Sequence, residues 1–310
     1  MQFDHLPVLL DEALNLLAVR ANADYCDVTI GGGGHAERIL QLNQPQGRLL
    51  GLDVDPHAAR VAAERLSHFG DRVSIEVAFF DELSSIAATK GLSAVAGILF
   101  DLGVSSAQID SPDRGFSFRA SGPLDMRLGP SAQRTAADIV NQAPEEELTR
   151  IFFEYGEERY SRRIARQIVG RRAHRPFATT DDLAGLIAAA VPRSRDRIHP
   201  ATRVFQALRI AVNDELDRLG RALPQAVPLL QTGGRLVVIS FHSLEDRIVK
   251  RFFRSEERGC TCVPDAPVCT CGRQPRLRIL TRRPIRPGPD EVTRNPRSRS
   301  ARLRAAEAVA

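Results

Sequence analysis

The sequence predicts an α/β fold: a doubly wound, mostly parallel sheet with an inserted helical subdomain. Three features of the hydrophobic pattern predict it. Short apolar segments alternate with helical segments from residue 25 to residue 101, the strand pattern then stops, and it resumes at residue 234. Such alternation is typical of a parallel sheet with helices on both faces.

The first third of the chain supplies the predicted parallel strands. A helix is expected over residues 6–19, where apolar residues recur at helical spacing. Strands are expected at 25–30, 47–53, 72–78 and 95–101, with helices at 35–41 and 56–66 between them. Residues 95–101 form a continuous apolar run, as expected for a strand buried on both faces. Asp55 is the expected N-cap of the second of these helices. Pro56 is tolerated in the first turn because an N–H at that position would have no partner within the helix.

The middle of the chain predicts loops and helices. Residues 111–130 are rich in Gly, Pro, Ser and Asp and predict a long loop. Helices are expected at 145–153, 159–172, 180–190 and 200–219, and a fifth strand at 234–241. Thr180 is the expected N-cap of the third helix, because acidic residues follow it in the first turn. The predicted organisation is therefore a sheet domain over 1–110 and 216–310, a helical substrate-recognition insert over 111–215, and a basic C-terminal tail.

Positive charge is concentrated near the C-terminal end. The formal net charge is +5, yet residues 273–304 hold eleven Arg against two acidic residues, so the rest of the chain is net acidic. This asymmetry suggests a polyanionic partner, with a solvated tail as the alternative. The insert adds a second basic group, formed by Arg159, Arg162, Arg163, Arg166, Arg171, Arg172 and Arg175. These side chains would contact phosphates or cover an ordinary solvated helix surface.

The N-terminal residues lack the basic and apolar regions of a secretory signal. No apolar stretch approaches the ~18 residues that a membrane helix needs. We therefore expect a cytoplasmic protein that does not bind membranes. The sequence leaves the oligomeric state open, and a homodimer is allowed.

Four of the five cysteines lie close together as two C-x-C pairs, Cys260, Cys262, Cys269 and Cys271. Four thiols at this spacing could hold zinc. However, the pairs are tighter than the usual C-x2-C knuckle, and no His stands nearby. Zinc binding and a loop with reduced thiols remain alternatives, and no metal ligand is assigned.

A glycine run follows the first predicted strand and precedes a helix, which lets the backbone approach a ligand closely. A dinucleotide fingerprint needs G-x-G-x-x-G, but counting from Gly31 its third glycine would fall at His35 or Ala36. A nucleoside ligand without pyrophosphate, such as S-adenosylmethionine, is therefore favoured. A purely structural turn is the alternative.

Two acidic residues support this interpretation. Asp53 ends the second predicted strand, where a carboxylate can accept both ribose hydroxyls of a nucleoside. Asp101 ends the fourth and is followed by small residues, at the edge where open α/β sheets bind ligands. An acceptor there could draw the lone pair of an exocyclic amine out of the plane of a base and toward a methyl donor. The remaining catalysis would be positioning for in-line attack.

Eight motifs in order along the chain resemble those of the bacterial ribosomal RNA small-subunit methyltransferase H family (RsmH/MraW). They lie at residues 5–12, 31–35, 53–56, 101–108, 114–118, 123–127, 240–247 and 295–300. The resemblance implies a class I S-adenosylmethionine methyltransferase fold with an inserted helical domain. It implies N4-methylation of a cytidine in the decoding region of small-subunit (16S) ribosomal RNA, with the ribosomal RNA or small subunit as partner.

The resemblance also implies site residues. S-adenosylmethionine contacts are expected from Gly33, Gly34, His35, Asp53, Phe80, Asp101 and Gln108. Phe79 competes with Phe80, and His35 could instead donate to a nearby carbonyl at the start of its helix. On the catalytic side we expect Asp101, Asp125 and His242, with His242 orienting the base rather than acting as a general base. An ion pair between Asp125 and Arg127 that holds the loop is the structural alternative.

Two other functions are compatible with parts of the pattern. An NAD-dependent oxidoreductase would also use a glycine turn and an acid on the second strand, but the third glycine is missing. A non-catalytic RNA-binding ribosome assembly factor would not need the glycine turn, Asp53 and Asp101 together.

Overall fold

The chain divides into two units, which are described separately. The computed structural model describes residues 7–192, 199–260, 262, 268 and 270–309. One unit comprises Met1–Gly103 and Leu216–Ala310, and the other comprises Val104–Glu215. Residues 104–110, which the sequence analysis assigned to the sheet domain, therefore belong to the second unit. His5 of the first motif and Cys269 of the cysteine cluster lie outside the described residues.

A seven-stranded sheet forms the centre of the first unit, with strand order β3-β2-β1-β4-β5-β7-β6. The strands are β1 Tyr25–Asp27, β2 Leu49–Asp53, β3 Val73–Val77, β4 Val95–Asp101, β5 Leu230–Ser240, β6 Leu277–Ile279 and β7 Arg302–Ala308. The pairings among β1 to β5 are parallel, whereas β7 pairs antiparallel with β5 and β6. The predicted α/β, mostly parallel sheet is confirmed. The strand order reverses between β1 and β4, where sheets of this kind bind ligands beyond the carboxyl ends.

Helices make up most of the remaining described structure. They are α1 Leu10–Leu17, α2 Gly34–Leu42, α3 Pro56–Leu66, α4 Leu83–Thr89, α5 Ser106–Asp110, α6 Ala136–Gln142, α7 Glu145–Glu154, α8 Ser161–Arg172, α9 Thr180–Ala190, α10 Ala201–Asn213, α11 Glu215–Leu229, α12 Ser243–Arg258 and α13 Pro289–Arg294. Among the helices of the described part, none is both long and apolar enough to cross a membrane.

Two apolar layers cover the faces of the sheet. Successive residues of β4 point to opposite layers, as the period of two in a strand requires: Ile98 and Phe100 join one, and Leu99 joins the other. The first layer includes residues of α4, α11 and α12, and the second includes residues of α1, α2 and α3. Burial on both faces explains why β4 was predicted from a continuous apolar run, whereas β3 at the edge of the sheet is only partly buried.

The basic C-terminal segment is not a tail, which corrects the prediction. It forms β6, α13 and β7, so two strands of the sheet come from the segment with the highest density of Arg. In β7, Arg304 is buried and faces Asp246 of α12, with Nε–Oδ1 and Nη2–Oδ2 distances of 2.6 and 3.2 Å. A buried Arg interrupts the apolar alternation of a strand, which hid β7 from sequence analysis.

Two helix predictions also need correction. The helix expected over 200–219 is two helices, separated at Asp214, whose φ of 55° lies in the left-handed region. Thr180 is the first residue of α9 rather than its N-cap, which is Thr179. The Thr180 hydroxyl is used elsewhere: it accepts from Gly122 N–H and donates to the Ala120 carbonyl. The predicted N-cap Asp55 is confirmed, since its Oδ1 accepts from His57 N–H at 2.9 Å.

The second unit is built on a core of its own, contributed by α6 to α10. The predicted long loop over 111–130 is fastened to this core. Asn213 of α10 donates to the Met126 carbonyl and accepts from Leu128 N–H, each at 2.8 Å. Arg114 donates to the carbonyls of Arg127 and Leu128. The loop therefore has a defined path within its unit.

The Asp246–Arg304 pair generates a stability prediction. Replacing Asp246 by Ala leaves a buried guanidinium without its charge partner, so we expect a loss of about 3 kcal/mol in the free energy of unfolding. The matched control is Glu64→Ala, which breaks the exposed Arg60–Glu64 pair of α3 and should cost less than about 0.5 kcal/mol. Urea denaturation followed by circular dichroism measures both, and equal losses would contradict the assigned role of the pair.

Candidate active site

The glycine turn after β1 leaves open space above its backbone. Gly31 and Gly33 have φ values of 51° and 79°, in the left-handed region that favours glycine. Gly33 is also the N-cap of α2. A Cβ built on Gly32 would meet no atom within 4 Å in the described structure. A ligand can therefore approach the backbone of Gly32 closely, whereas a Cβ on Gly33 would contact Leu66 and Ala62 of α3 at 3.4 and 3.5 Å.

Gly34 has a different structural reason to be glycine. A Cβ at this position would lie 2.4 Å from Cγ of Pro7. The absence of a side chain therefore lets the N-terminal segment pack against the start of α2. The predicted cofactor contact of Gly34 remains a prediction.

Asp53 connects the end of β2 to the glycine turn. Its Oδ2 accepts from Gly31 N–H and its Oδ1 accepts from Asp55 N–H, each at 2.9 Å. The carboxylate therefore fixes the position of the turn that would face a ligand. Each carboxylate oxygen can accept more than one hydrogen bond, so this geometry is compatible with the predicted contact to ribose hydroxyls.

Asp101 ends β4, and its backbone and side chain have separate environments. Its N–H donates to the Thr29 hydroxyl at 2.6 Å, which ties β4 to the segment between β1 and the glycine turn. Its Oδ1 is buried and has no hydrogen-bond partner among the described residues. Burial, followed by the negative charges of Asp27 and Glu245, raises the pKa of Asp101 well above its ordinary value. A buried acceptor of this kind marks a place for a ligand.

His35 is buried beside Asp101. Its Nε2 lies 3.1 Å from the Val8 carbonyl, and because a carbonyl can only accept, Nε2 carries the ring proton. Its Nδ1 then faces Asp101 Oδ2 at 3.7 Å. Donation to a nearby carbonyl was the alternative considered for His35, and the structure shows it. The cofactor contact of this residue remains a prediction.

Asp27 is a buried carboxyl group to which the sequence analysis assigned no role. It is 1% exposed at the end of β1 and accepts from Thr29 N–H at 3.3 Å. Burial raises the pKa of Asp27 to about 7, and the charge of Asp53 adds to the effect. An acid at the end of an apolar strand, directly before a glycine turn, was the available signal.

The two candidate phenylalanines differ in exposure. Phe79 is buried, with the guanidinium carbon of Arg218 3.5 Å from the centre of its ring. Phe80 is only partly buried, and its ring meets that of Phe100 edge to face, with 6.0 Å between the two ring centres. A ring that flanks an adenine needs a face free of core atoms, so the structure favours Phe80 over its competitor.

His242 is the N-cap of α12. Its Nδ1 accepts from Glu245 N–H at 3.4 Å, while Glu245 Oε2 accepts from the N–H groups of Phe241 and His242. Because Nδ1 accepts this hydrogen bond through its lone pair, the ring proton is assigned to Nε2. This Nε2 lies 3.2 Å from Glu245 Oε1, but the contact lacks hydrogen-bond geometry. A ring held in this way is a poor general base, and the orienting role of His242 remains a prediction.

Gln108 and Asp125 belong to the second unit, and each is bound within it. Gln108 forms a capping box with Ser105: its Oε1 accepts from Ser105 N–H at 2.8 Å. Asp125 accepts two hydrogen bonds from the Arg127 guanidinium, at 2.9 and 2.7 Å, and this pairing lowers its pKa despite partial burial. The loop-holding ion pair considered for Asp125 is therefore present.

The raised pKa of Asp27 generates a pH-dependent stability prediction. The folded protein retains a proton on Asp27 up to about pH 7, whereas the ordinary carboxyl loses it near 3.8. Stability therefore falls as the pH rises between these values, by up to about 1.4 kcal/mol per pH unit. Asn cannot ionise, so only the wild type loses stability over this pH range. The free energy of unfolding of Asp27→Asn minus that of the wild type should therefore increase by about 2 kcal/mol from pH 5 to pH 7.

Denaturation midpoints at both pH values measure this difference. The same substitution at exposed Asp11 is the matched control and should leave the difference between the two pH values unchanged. A pH-independent effect of Asp27→Asn would contradict a protonated, buried carboxyl group.

Comparison with known proteins adds independent information. A sequence profile described as the MraW methylase family matches residues 2–309. Proteins named ribosomal RNA small subunit methyltransferase H from Carboxydothermus hydrogenoformans and Geobacter sulfurreducens are each 53% identical to this chain. The first alignment covers 99% of this chain and 98% of the relative, and the second covers 99% of both.

A crystal structure of a putative rRNA methylase from Clostridium thermocellum aligns over 100% of both chains, with 13% identity and a TM-score of 0.46. The profile match and the full-length relatives establish the relationship without it. Together with the ordered motifs, they show that this chain belongs to the MraW methylase family.

Proposed function

We propose that this protein uses S-adenosylmethionine to methylate N4 of a cytidine in the decoding region of small-subunit ribosomal RNA. Relatives that are 52–54% identical to this chain, aligned over 94–100% of their own length, are named ribosomal RNA small subunit methyltransferase H. The observation that carries the proposal is the buried Asp101 Oδ1 without a partner in the described structure, at the carboxyl end of β4. Such a role would place the protein in the cytoplasm with the ribosome.

The residues at the sheet edge fit the cofactor. The turn at Gly31–Gly33 leaves room above its backbone, and Asp53 offers carboxylate oxygens beside it. Phe80 offers a partly exposed ring at the start of the turn after β3. We assign ribose binding to Asp53 and contact with the adenine to Phe80. The contacts expected from Gly34, His35 and Gln108 rest on the family resemblance.

When bound, S-adenosylmethionine supplies an activated methyl group on a positively charged sulfur. The protein must then present a weak nucleophile, the exocyclic amine of cytosine, with its lone pair directed at that methyl. Asp101 Oδ1 would accept a hydrogen bond from the amine and hold the lone pair out of conjugation with the ring. Orientation of both reactants, rather than a covalent nucleophile, accounts for the catalysis.

The surroundings of Asp101 bear on this role. In the protein alone, burial and the negative charges of Asp27 and Glu245 raise its pKa. A positive charge bound beside it favours the ionised form, which can only accept. Asp101 would thus become an acceptor when the methyl donor is in place. His242 would orient the base without taking its proton, because its ring is committed to capping α12.

Exposed arginines of the second unit are candidates for phosphate contacts. Arg159, Arg162, Arg163, Arg166 and Arg175 are exposed, with Arg166 Nε 3.7 Å from Glu145 Oε1. In contrast, Arg171 pairs with Asp182 and Arg172 donates to the Val140 carbonyl. Phosphate contacts position an RNA without selecting its sequence. We therefore propose that the exposed members of this set bind the RNA backbone, and that the other two stabilise their own unit.

Calorimetry separates the proposed function from its rivals. S-adenosylmethionine should bind and NAD should not, whereas an oxidoreductase would show the reverse and an inactive assembly factor would bind neither. Asp53→Asn removes the charge that strengthens the predicted ribose contacts, so we expect its affinity for S-adenosylmethionine to fall about tenfold or more. Asp71→Asn, at an exposed position before β3, is the control and should bind normally. Unchanged affinity in Asp53→Asn would exclude the assigned ribose contact.

Single-turnover kinetics with small ribosomal subunits tests the role of Asp101. Asp101→Asn keeps the shape of the side chain but removes its charge, so we expect the methylation rate at saturating S-adenosylmethionine to fall about 100- to 1,000-fold. Asp71→Asn is again the control. Full methylation by Asp101→Asn or Asp101→Ala would overturn the proposed chemistry at this edge.

A further inference from the structure

The segment between α12 and β6 forms a loop whose two ends meet. Gly259 ends α12 with a φ of 66°, and a Cβ there would lie 2.5 Å from both the Gln274 carbonyl carbon and Pro275 N. The ends are fastened by Arg276, whose N–H donates to the Glu256 carbonyl at 3.0 Å and whose Nε donates to Glu256 Oε2 at 2.6 Å. At residues 274–276 the chain therefore returns to the C-terminal end of α12, from which the loop began.

Three cysteines converge inside this loop. One sulfur atom from each of Cys260, Cys262 and Cys271 lies within 4.8 Å of the other two, and the sulfurs of Cys260 and Cys271 are 3.7 Å apart. Each of the three side chains is partly exposed. A tetrahedral zinc ion with Zn–S bonds of about 2.3 Å would hold its sulfurs about 3.8 Å apart. The Cys260–Cys271 distance matches that spacing.

The return arm of the loop also approaches the sulfur of Cys262. The Oγ1 atom of Thr270 lies 4.0 Å from Cys262 Sγ. The return arm of the loop therefore supplies one sulfur, from Cys271, and one hydroxyl contact to the arm that leaves α12.

The composition of the loop supplies a reason for a metal. Between Cys260 and Gln274 the chain contains only two Val and one Ala besides its cysteines as apolar residues. So few apolar groups cannot form a core, and short segments without one are commonly held by metal or disulfide. A sulfur separation of 3.7 Å is far longer than the ~2.05 Å of a disulfide.

We propose that Cys260, Cys262 and Cys271 bind a zinc ion that fastens the two arms of this loop together. The site is structural and lies apart from the sheet edge assigned to methyl transfer, so it does not depend on the proposed function. From the sequence alone, zinc binding and a loop of reduced thiols remain alternatives, because the C-x-C spacing is unusual for a zinc site. We favour zinc binding over a loop of reduced thiols because cysteine sulfurs from both arms of the loop converge.

Metal analysis of the full-length protein, purified without chelators, tests the site directly. We expect close to one zinc per chain in the wild type, and a large loss of zinc in both Cys262→Ser and Cys271→Ser. The matched control is Cys26→Ala, which removes the buried cysteine of β1 and should retain its zinc. Circular dichroism establishes that each variant is folded, so that loss of metal is not mistaken for unfolding.

Two further measurements give the site an independent readout. Replacement of zinc by cobalt should produce the absorption bands of tetrahedral thiolate coordination, and these should be absent in Cys262→Ser. Removal of zinc by a chelator should accelerate tryptic cleavage at Arg273, within the loop, while the rest of the chain resists.

Three outcomes would overturn the proposal. Zinc well below one equivalent, with all the loop thiols free to react, would show an unliganded loop. A mass two hydrogens lower under non-reducing conditions would show a disulfide. Stoichiometric iron, visible as colour, would show a different metal.

Discussion

The hydrogen bond from Asp101 N–H to the Thr29 hydroxyl holds the candidate site together, because it joins the end of β4 to the segment leading from β1 into the glycine turn. Asp53 holds the same turn from β2 through Gly31 N–H. These bonds bring the carboxyl groups of Asp27, Asp53 and Asp101 to one edge of the sheet, and burial raises the pKa of both Asp27 and Asp101. Buried like charges are unfavourable unless a cation or a hydrogen-bond donor joins them. A sulfonium ligand and an amine would supply both.

The inner parallel strands β2 and β4 were predictable because nearly all of their residues are buried and most are apolar. The antiparallel edge was not, because β7 places Arg304 in a buried position that only Asp246 of α12 makes tolerable. The same limit applies within the site. The motif residues Asp53 and Asp101 were identifiable, but the pairing of His35 with the Val8 carbonyl depends on a contact between segments 27 residues apart. The cap formed by His242 is local, because its partner Glu245 lies only three residues further along the chain.

The number of arginines in the sequence overstates how much unpaired positive charge the protein exposes. Several arginines of the C-terminal segment are paired with acids: Arg276 with Glu256, Arg278 with Glu307, and Arg304 with Asp246. In α8 and the residues after it, some arginines likewise serve the fold, while others are exposed. A polyanionic partner is therefore better argued from the arginines that are exposed in either unit, such as Arg163 of α8 and Arg282 and Arg283 of the C-terminal segment, than from total charge. Only exposed side chains can reach phosphates.

The most direct test of the central claim is nucleoside mapping of small-subunit ribosomal RNA. RNA from a bacterial strain that lacks this protein would be compared with RNA from the same strain expressing it, using mass spectrometry of nuclease fragments. We predict that one decoding-region cytidine loses its N4-methyl group in the deficient strain and regains it on expression. An unchanged modification pattern, or a change at another atom or nucleotide, would contradict the assignment of this sheet edge to cytidine N4-methylation.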